Sequence, residues 1–387
     1  MGSTLILAMI TGLSVANLYY VQSLLPLIAS QLHLHAGEVF LIPTAIQIGL
    51  ALALLLLLPI GDSRERRQML ILSALGMGVA SAAIGLLPSF PLLLLAFFLL
   101  GLTALVPYLL PAYVSALVPD AIRGRTLGVI LSGQFTGLLL SRSVSGLVGQ
   151  YLGWRTIFLF SAVVMVGVAC WIRSQLPREQ NVKPIAYLAL QASQLGLLRR
   201  YSGLRQACLS QGLQFGTFMA LWSGLALHLA EPPWRLNSAW IGAFGLVGII
   251  SIVAAPHIGR LVDQFGAHRL VVAATLLSLL GVTLLFCFPH SLLAIAGGLI
   301  LLDLGVQGSY VANQTRVFSL DPAARSRLGC LLFFSAYLGA AIASSLVAVF
   351  WTHWHWSGLT LFGAILVLLA LLSQFGGPRS RPAASSS

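Results

Sequence analysis

Residues 68–119 read QMLILSALGMGVASAAIGLLPSFPLLLLAFFLLGLTALVPYLLPAYVSALVP, a run of 52 positions without a formal charge. A membrane-spanning helix needs about 20 apolar residues, so this stretch is long enough for two crossings with a turn at residues 87–91 between them. A second uncharged stretch of 51 residues, 328–378, is divided in the same way at residues 351–355. The two stretches predict an α-helical membrane protein that crosses the bilayer many times.

The composition agrees with a membrane protein. Of the 387 residues, 58% are hydrophobic and only 8% are charged, whereas roughly 25% of the residues of a soluble domain are charged. A soluble fold of this size needs more charged side chains to cover its surface. The composition therefore argues against a soluble enzyme and, despite the net charge of +12, against a nucleic-acid-binding protein.

Apolar runs and the breakers between them predict an all-α integral membrane fold with twelve transmembrane helices. The helices are expected near residues 4–30, 38–60, 68–87, 91–118, 126–150, 154–175, 206–229, 237–258, 269–288, 291–318, 328–350 and 356–375. They form an N-terminal six-helix half (1–175) and a C-terminal six-helix half (206–375). We expect a cytoplasmic linker between them (176–205), with a short amphipathic helix at 185–198, and a disordered cytoplasmic tail (376–387).

The basic residues indicate which side of the membrane each loop occupies. With these spans, 18 of the 21 Lys and Arg residues lie on one side. Only Arg155 and Arg235 lie on the other side, and Arg142 lies within a span. Short loops rich in Lys and Arg stay in the cytoplasm, so both termini are predicted to be cytoplasmic.

The two predicted halves repeat at a nearly constant offset. Asp62 follows the second helix, and Asp263 follows the eighth helix 201 residues later. Two further pairs are 202 residues apart, Arg123 with Arg325 and Trp154 with Trp356. Two six-helix halves in parallel repetition are typical of transporters that rock about a central site.

On these residues the chain resembles the major facilitator superfamily, and within it the twelve-helix drug:proton antiporter branch of bacterial efflux carriers. The loop after the eighth helix is similar to the signature Gly-x-Leu-x-Asp-x-x-Gly-x-Arg of that superfamily. The stretch at residues 17–26, NLYYVQSLLP, is similar to first helices of the branch. In the fifth helix the chain departs from the branch, because Ser141 and Arg142 stand where the antiporter motif has Gly-Pro. The resemblance implies a multi-pass protein of the bacterial inner membrane.

The signature loops have a physical interpretation as a conformational latch. An Asp at the end of one helix can accept hydrogen bonds from the first amides of the next helix or pair with a nearby Arg, and such contacts can hold one conformation and release in the other. Plain topology, in which basic loops only stay inside, is the alternative. The residues assigned to the latch are Asp62, Arg66, Arg67, Gly259, Asp263, Gly266 and Arg269.

Two charged residues lie deep within predicted spans rather than at their ends, Arg142 in the fifth helix and Asp303 in the tenth. A charge at the bilayer centre costs roughly 2.5–3.5 kcal/mol, so it faces protein or a water-filled cavity. Three polar side chains fall on the same face of the tenth helix as Asp303, namely Gln307, Tyr310 and Gln314. The stripe indicates a cavity lining, with hydrogen bonds between helices as the alternative.

Other predicted helices contribute amides and aromatic rings. The seventh carries Gln211, Gln214, Phe218 and Trp222, and the first carries Asn17, Tyr20 and Gln22. An apolar lining with a few directional polar groups suits an amphiphilic or aromatic solute. The predicted substrate and proton pathway therefore consists of Asp303, Arg142, Gln307, Gln314, Asn17, Gln22, Gln211, Gln214 and Trp222.

The leading functional hypothesis is a secondary carrier that moves a small organic solute, drug-like or a metabolite, by alternating access with proton-coupled efflux. Sugar or metabolite uptake on the same fold is the first alternative, and an intramembrane enzyme or a channel is a weaker one. No phosphate-binding loop is present in the sequence, so direct use of ATP is not expected. We expect no enzymatic activity, no cofactor, no metal ion and a monomer in the lipid bilayer.

Asp303 is predicted to be the proton-linked carboxylate, with Arg142 as its tuning charge. Asp303 lies about 12 residues into its helix, which is roughly 18 Å at 1.5 Å per residue, and the depth of Arg142 differs from this by only several ångström. If the two charges pair in one state and separate in the other, protonation would accompany the transport cycle. The sequence leaves open whether the two side chains are in contact.

Overall fold

The computed structural model describes residues 2–178, 186–250, 260–262, 264–321 and 324–375. These residues form helices and connections, and no strand occurs among them. The α-helices are α1 (Gly2–Leu32), α2 (Ala36–Val39), α3 (Leu41–Leu52), α4 (Arg66–Leu86), α5 (Phe90–Thr103), α6 (Val106–Leu117), α7 (Asp120–Leu152), α8 (Trp154–Gln175), α9 (Tyr187–Arg200), α10 (Ser202–Ala230), α11 (Ser238–Ala243), α12 (Ala267–Cys287), α13 (Leu292–Phe318) and α14 (Arg325–Ser373). The predicted all-α fold is confirmed.

Ten helices in the described part of the chain are long and apolar enough to cross a membrane. They are Thr4–Leu32, Gly37–Gly61, Arg66–Leu86, Phe90–Ser115, Ile122–Leu152, Trp154–Gln175, Ser202–Ala230, Ala267–Cys287, Leu292–Phe318 and Arg325–Ser373. The last of these has 49 residues and is interrupted at His355, whose φ of 49° is not helical. The predicted eighth span begins as the short apolar helix Ser238–Gly248, and residues 251–259 lie outside the described part. The count of twelve stays a prediction.

Proline explains where the second predicted span departs from a regular α-helix. Ala53–Leu57 is π-helical and Leu58–Asp62 is a 3₁₀-helix. Pro59 has no backbone N–H, so the carbonyl of Leu55, four residues earlier, cannot receive its helical hydrogen bond. Gln191 of α9 donates to that carbonyl at 3.0 Å. The helix predicted at 185–198 is thus present as α9, and it is tied to the second span.

The fourth predicted span is divided for the same reason. α5 ends at Thr103 and α6 begins at Val106, just before Pro107. Pro107 cannot donate to the carbonyl of Thr103, and the hydroxyl of Ser73 on α4 donates to it instead. The same hydroxyl accepts from the backbone N–H of Leu105 at 3.0 Å. The hydroxyl of Ser73 therefore gives a hydrogen-bond partner to one carbonyl and to one N–H at this helix break.

Two helix pairs form similar close crossings, α1 with α7 and α10 with α14. A Cβ added at Gly137 would lie 2.1 Å from the carbonyl oxygen of Gly12, and a Cβ added at Gly339 would lie 2.1 Å from that of Gly212. Only glycine allows backbones to approach this closely. The glycines of each crossing are related by offsets of 200 and 202 residues, close to the offset found in the sequence.

The bundle is closed at the end opposite to the one where α1 begins and α14 ends. There the rings of Phe40 and Trp351 lie 6.0 Å apart, and both side chains are buried. A Cβ added at Gly146 of α7 would lie 2.2 Å from the carbonyl oxygen of Ser238 in α11. We call this the closed end, and the end near the start of α1 the termini end.

Candidate functional site

A cavity of about 160 Å³ lies in the half of the bundle nearer the termini end. We call it the central cavity. Helices α1, α6, α7, α10, α13 and α14 contribute its lining, which consists of aromatic, amide and aliphatic side chains with no charged residue among those described. The lining residues are Val15, Tyr19, Tyr108, Leu131, Gln134, Phe135, Leu138, Gln211, Phe215, Phe218, Val306, Gln307, Tyr310, Val311, Gln314, Phe333, Ala336 and Tyr337.

The lining repeats between the two parts of the chain at an offset of 202 residues. Tyr108 of α6 corresponds to Tyr310 of α13, and Phe135 of α7 corresponds to Tyr337 of α14. Two further lining pairs have the same offset, Leu131 with Phe333 and Gln134 with Ala336. Equivalent positions of α6 and α13, and of α7 and α14, therefore face one cavity.

A tyrosine network joins helices on both sides of the central cavity. Tyr108 donates to the hydroxyl of Tyr337 at 2.6 Å. The hydroxyl of Tyr19 lies 3.5 Å from the same oxygen, and the ring of Phe215 packs edge-on against Tyr337 with centroids 5.0 Å apart. These contacts link α1 and α6 to α14.

Arg142 lies beyond the cavity, toward the closed end, and is 2% exposed. Its Nε donates to the Oε1 of Gln22 at 2.7 Å. Its guanidinium carbon lies 3.8 Å from the ring centroid of Trp222, 5.5 Å from that of Phe218 and 5.9 Å from that of Tyr19. Cation–π attraction to these ring faces stabilises a desolvated positive charge.

Asp303 is 4% exposed and accepts a hydrogen bond from the indole Nε1 of Trp222 at 3.0 Å. Among the described side chains, Arg142 and Asp303 are not joined by an ion pair within 4.0 Å. Trp222 contacts both of them, with its ring face toward the cation and its N–H toward the carboxylate. We call Gln22, Arg142, Trp222 and Asp303 the charged cluster.

The 3₁₀-helix Phe244–Gly248, which follows α11, leaves room for the charged cluster because it has glycine at two positions that face the cluster. A Cβ at Gly248 would lie 3.0 Å from Oδ2 of Asp303, and a Cβ at Gly245 would lie 2.9 Å from Cβ of Arg142. A larger side chain at either position would push against one of the two charged residues. The cluster is therefore enclosed by α1, α7, α10, α13 and this 3₁₀-helix.

The other predicted pathway residues fall into two groups. Gln211, Gln307 and Gln314 line the central cavity. Asn17 and Gln214 lie outside the lining, and each is the centre of a buried hydrogen-bond network. The side-chain Oδ1 of Asn17 accepts from the hydroxyls of Ser81 and Ser161. Gln214 forms hydrogen bonds with three hydroxyls, those of Thr275, Ser278 and Ser309.

The predicted latch is described only in part. Gly259, Asp263 and the side chain of Asp62 lie outside the described part of the chain. Arg66 begins α4, and Arg67 donates to the backbone carbonyl of Arg173. Gly266 has a φ of 83° immediately before α12, and Arg269 is exposed in its first turn. The latch stays a prediction.

Sequence reasoning did not single out three tyrosines of the cavity, Tyr19, Tyr108 and Tyr337. Their rings lie in apolar runs where nothing distinguishes them from packing residues. The repeat offset was a usable signal, because it relates Tyr108 to Tyr310, which the polar stripe had already marked. The offset would therefore have identified Tyr108, one of the three tyrosines.

The chain matches proteins of one family over most of its length. A family model described as Major Facilitator Superfamily matches residues 6–255. The "Uncharacterized transporter YgaY" of Escherichia coli O157:H7 is 34% identical over 384 residues, which cover 98% of this chain and 96% of that protein. The "Probable transporter SCO4007" of Streptomyces coelicolor is 33% identical over 365 residues, covering 94% and 85%.

The fold is similar to that of a solved transporter. A bacterial homolog of the human lysosomal transporter Spinster superposes with a TM-score of 0.75 at 14% identity, covering 97% of this chain and 96% of that one. This likeness concerns the fold alone. Together with the membrane-spanning helices and the match at residues 6–255, it leads to one assignment: the chain belongs to the Major Facilitator Superfamily of multi-pass membrane transporters.

Proposed function

We propose that this transporter is a proton-coupled secondary carrier of the bacterial inner membrane that moves a small organic solute by alternating access. The observation that carries the proposal is the position of Trp222, which contacts a buried cation and a buried carboxylate at the same time. The carrier would use the central cavity for the solute and Asp303 for the proton.

Alternating access is supported by the difference between the two ends of the bundle. Side chains of the central cavity such as Gln307 and Tyr310 are half-buried, whereas Phe40 and Trp351 at the closed end are fully packed. A solute could therefore reach the cavity from the termini end and not from the closed end. Opening the closed end requires α7 to separate from α11 at Gly146.

Proton coupling is supported by the way the charged cluster joins the two predicted halves. Gln22 and Arg142 belong to the first half, and Trp222 and Asp303 belong to the second. An ionised Asp303 accepts a hydrogen bond from the indole N–H of Trp222. This polarises the indole ring and strengthens its cation–π contact with the guanidinium of Arg142. A proton on Asp303 weakens both contacts, so protonation would loosen the halves at this level and bias the direction in which the cavity opens.

The test compares Asp303→Asn with the unaltered protein in proteoliposomes under an imposed pH gradient. The amide cannot exchange a proton, so we expect gradient-driven accumulation to be lost while exchange of solute across the membrane is retained. Glu231→Gln, which removes an exposed acid at the closed end, is the matched control and should behave like the unaltered protein. Normal accumulation in Asp303→Asn would refute proton coupling through this residue.

For the direction of transport we propose efflux, which the resemblance to the drug:proton antiporter branch supports. Uptake together with a proton is the second candidate, and the position of Arg142 favours it. A solute that neutralises this cation also removes the charge that holds Asp303 ionised, so that solute and proton would bind together and move together. Reversing the imposed pH gradient distinguishes the two directions, because antiport and cotransport then accumulate the solute on opposite sides.

We propose that the protein is a monomer whose termini face the cytoplasm. The one-sided distribution of Lys and Arg supports this orientation. Reporter fusions at Ser385 and within residues 178–200 should both score as cytoplasmic. An external score at either place would contradict the proposed orientation and would exchange the sides of the cavity and the closed end.

A further inference from the structure

The guanidinium of Arg142 keeps two donors without a protein acceptor. Its Nη1 and Nη2 are both buried, and neither has a hydrogen-bond partner among the described residues. The aromatic rings around it attract the positive charge, but they offer no lone pair to these N–H groups. A buried donor without an acceptor is destabilising, and more so when it is charged, so the arrangement calls for an acceptor from outside the chain.

The donors lie directly behind the wall of the central cavity. Tyr19 and Phe218 both line the cavity, and both rings lie within 6 Å of the guanidinium carbon. Leu138, one turn before Arg142 on α7, also lines it. The Tyr19 or Phe218 side chain would have to shift for the guanidinium to contact a solute in the cavity.

The two charged residues near the cavity differ in their contacts with its lining. The described lining contains no acidic and no basic side chain. Arg142 touches two of the lining rings, whereas the carboxylate of Asp303 is turned toward the indole N–H of Trp222, and neither Asp303 nor Trp222 lines the cavity. Of the two charges, Arg142 is therefore the one whose described contacts include rings of the lining.

We propose that the solute is a small organic anion with an aromatic or apolar body, whose carboxylate binds Nη1 and Nη2 of Arg142 side by side. A carboxylate matches this pair of parallel donors in length and charge, and the body of the solute packs against the rings of Tyr19, Phe215 and Phe218. The cavity of about 160 Å³ is below the roughly 300–1,000 Å³ of most ligand sites, which limits the body to about one ring system. The proposal rests on the proposed carrier function and specifies its substrate class.

The experiment measures equilibrium binding to the purified full-length protein in nanodiscs at pH 7, without any gradient. The probes are benzoate, phenylacetate and indole-3-acetate, compared with benzamide, phenylacetamide and indole-3-acetamide, and with the cation benzylammonium. We expect each carboxylate to bind at least ten-fold more tightly than its amide, and benzylammonium to bind more weakly than benzamide. Arg142→Lys, which keeps the charge but loses the paired donors, should reduce the preference for the carboxylate several-fold.

A variant without either charge keeps the test independent of folding defects. Arg142→Gln/Asp303→Asn should bind carboxylates and amides equally. Equal binding of acids and amides by the unaltered protein, tighter binding of benzylammonium, or no binding of any carboxylate would each overturn the proposal. Because no gradient is applied, failure here leaves proton-coupled transport intact, and failure of proton coupling leaves the binding result intact.

Discussion

The central cavity and the charged cluster lie next to each other, yet only the cavity repeats between the two predicted halves. Tyr108 and Tyr310 occupy equivalent positions of its lining, as do Phe135 and Tyr337. In the charged cluster the same offset of 202 relates Arg142 to Ser344 and Asp303 to Gly101. Each charge therefore occurs in one half only.

This difference suits the two roles proposed above, in which the cavity binds the solute and the charged cluster responds to the proton. A symmetric lining lets both halves contact a solute in the same way while they rock about it, which is what alternating access requires. The charged cluster draws its cation and its carboxylate from different predicted halves, and under the proposed proton coupling the contact between the halves would depend on protonation of Asp303. Packing also enforces the asymmetry, because a Cβ at Gly101 would lie 2.1 Å from the carbonyl oxygen of Ile46, and a carboxylate cannot be placed there.

The largest effect is expected from removing one charge of the cluster. Arg142→Gln leaves the carboxylate of Asp303 buried without a nearby cation, and a buried charge without compensation is strongly destabilising. We expect a markedly lower thermal denaturation midpoint in detergent and loss of transport. Ser344→Ala, at the equivalent position of the other half, should leave the midpoint nearly unchanged.

The double variant Arg142→Gln/Asp303→Asn sharpens this result. With both charges gone, most of the lost stability should return while gradient-driven transport stays absent. If the double variant is as unstable as Arg142→Gln, the two residues do not act as a pair and Trp222 does not connect them.

An intermediate effect is expected from Trp222→Phe. Phenylalanine keeps an aromatic face for Arg142 but removes the N–H that Asp303 accepts, and a hydrogen bond to a charged group contributes about 1.5–3 kcal/mol. We expect gradient-driven accumulation to fall by roughly ten-fold or more, with solute exchange less affected. Trp354→Phe, at an exposed position of the closed end, is the matched control, and an equal response of both variants would argue against the bridging role.

A smaller effect should distinguish the two equivalent tyrosines of the cavity. Tyr108 donates to Tyr337 at 2.6 Å, whereas Tyr310 has only a long contact of 3.5 Å with Gln314. Since an ordinary hydrogen bond contributes about 0.5–1.5 kcal/mol, Tyr108→Phe should change the apparent solute affinity by about two- to ten-fold and Tyr310→Phe by less. An equal change in both would show that only the shared position in the lining matters.

The smallest effect is expected in the signature loops at the termini end. Asp62→Asn and Asp263→Asn should alter which way the carrier faces without much change in solute affinity, because both acids lie far from the cavity in sequence and in the predicted topology. Accessibility of cysteines introduced at Gln307 and Ser238 would report the termini end and the closed end respectively. If the accessibility of the two cysteines and the turnover are both unchanged, the loops act only as signals that set the orientation in the membrane, and the latch hypothesis is wrong.

The sequence predicted the fold and the two charges correctly because both depend on strong local signals. Long uncharged runs have few alternatives to membrane helices, and Arg142 and Asp303 stand out within them. The breaks at Pro59 and Pro107 were not predicted, although a proline within a helix is the local signal for such a break. Asn17 and Gln214, in contrast, were indistinguishable from lining residues. The sequence shows that a polar side chain lies in a span, but it does not show whether that side chain faces a cavity or a neighbouring helix.

By itself, the sequence determined the all-helical membrane fold, the recurrence of residues at an offset of about 202 and the presence of one buried cation and one buried anion, since these follow from composition, spacing and the cost of charge in lipid. The tertiary structure alone decided that Trp222 contacts both charges, that Arg142 keeps two unpaired donors behind the cavity, and that the tyrosines meet at Tyr337. These contacts join residues more than 75 positions apart in the chain. They are set by the angle and rotation at which packed helices cross, and no short-range pattern in a helix encodes that rotation.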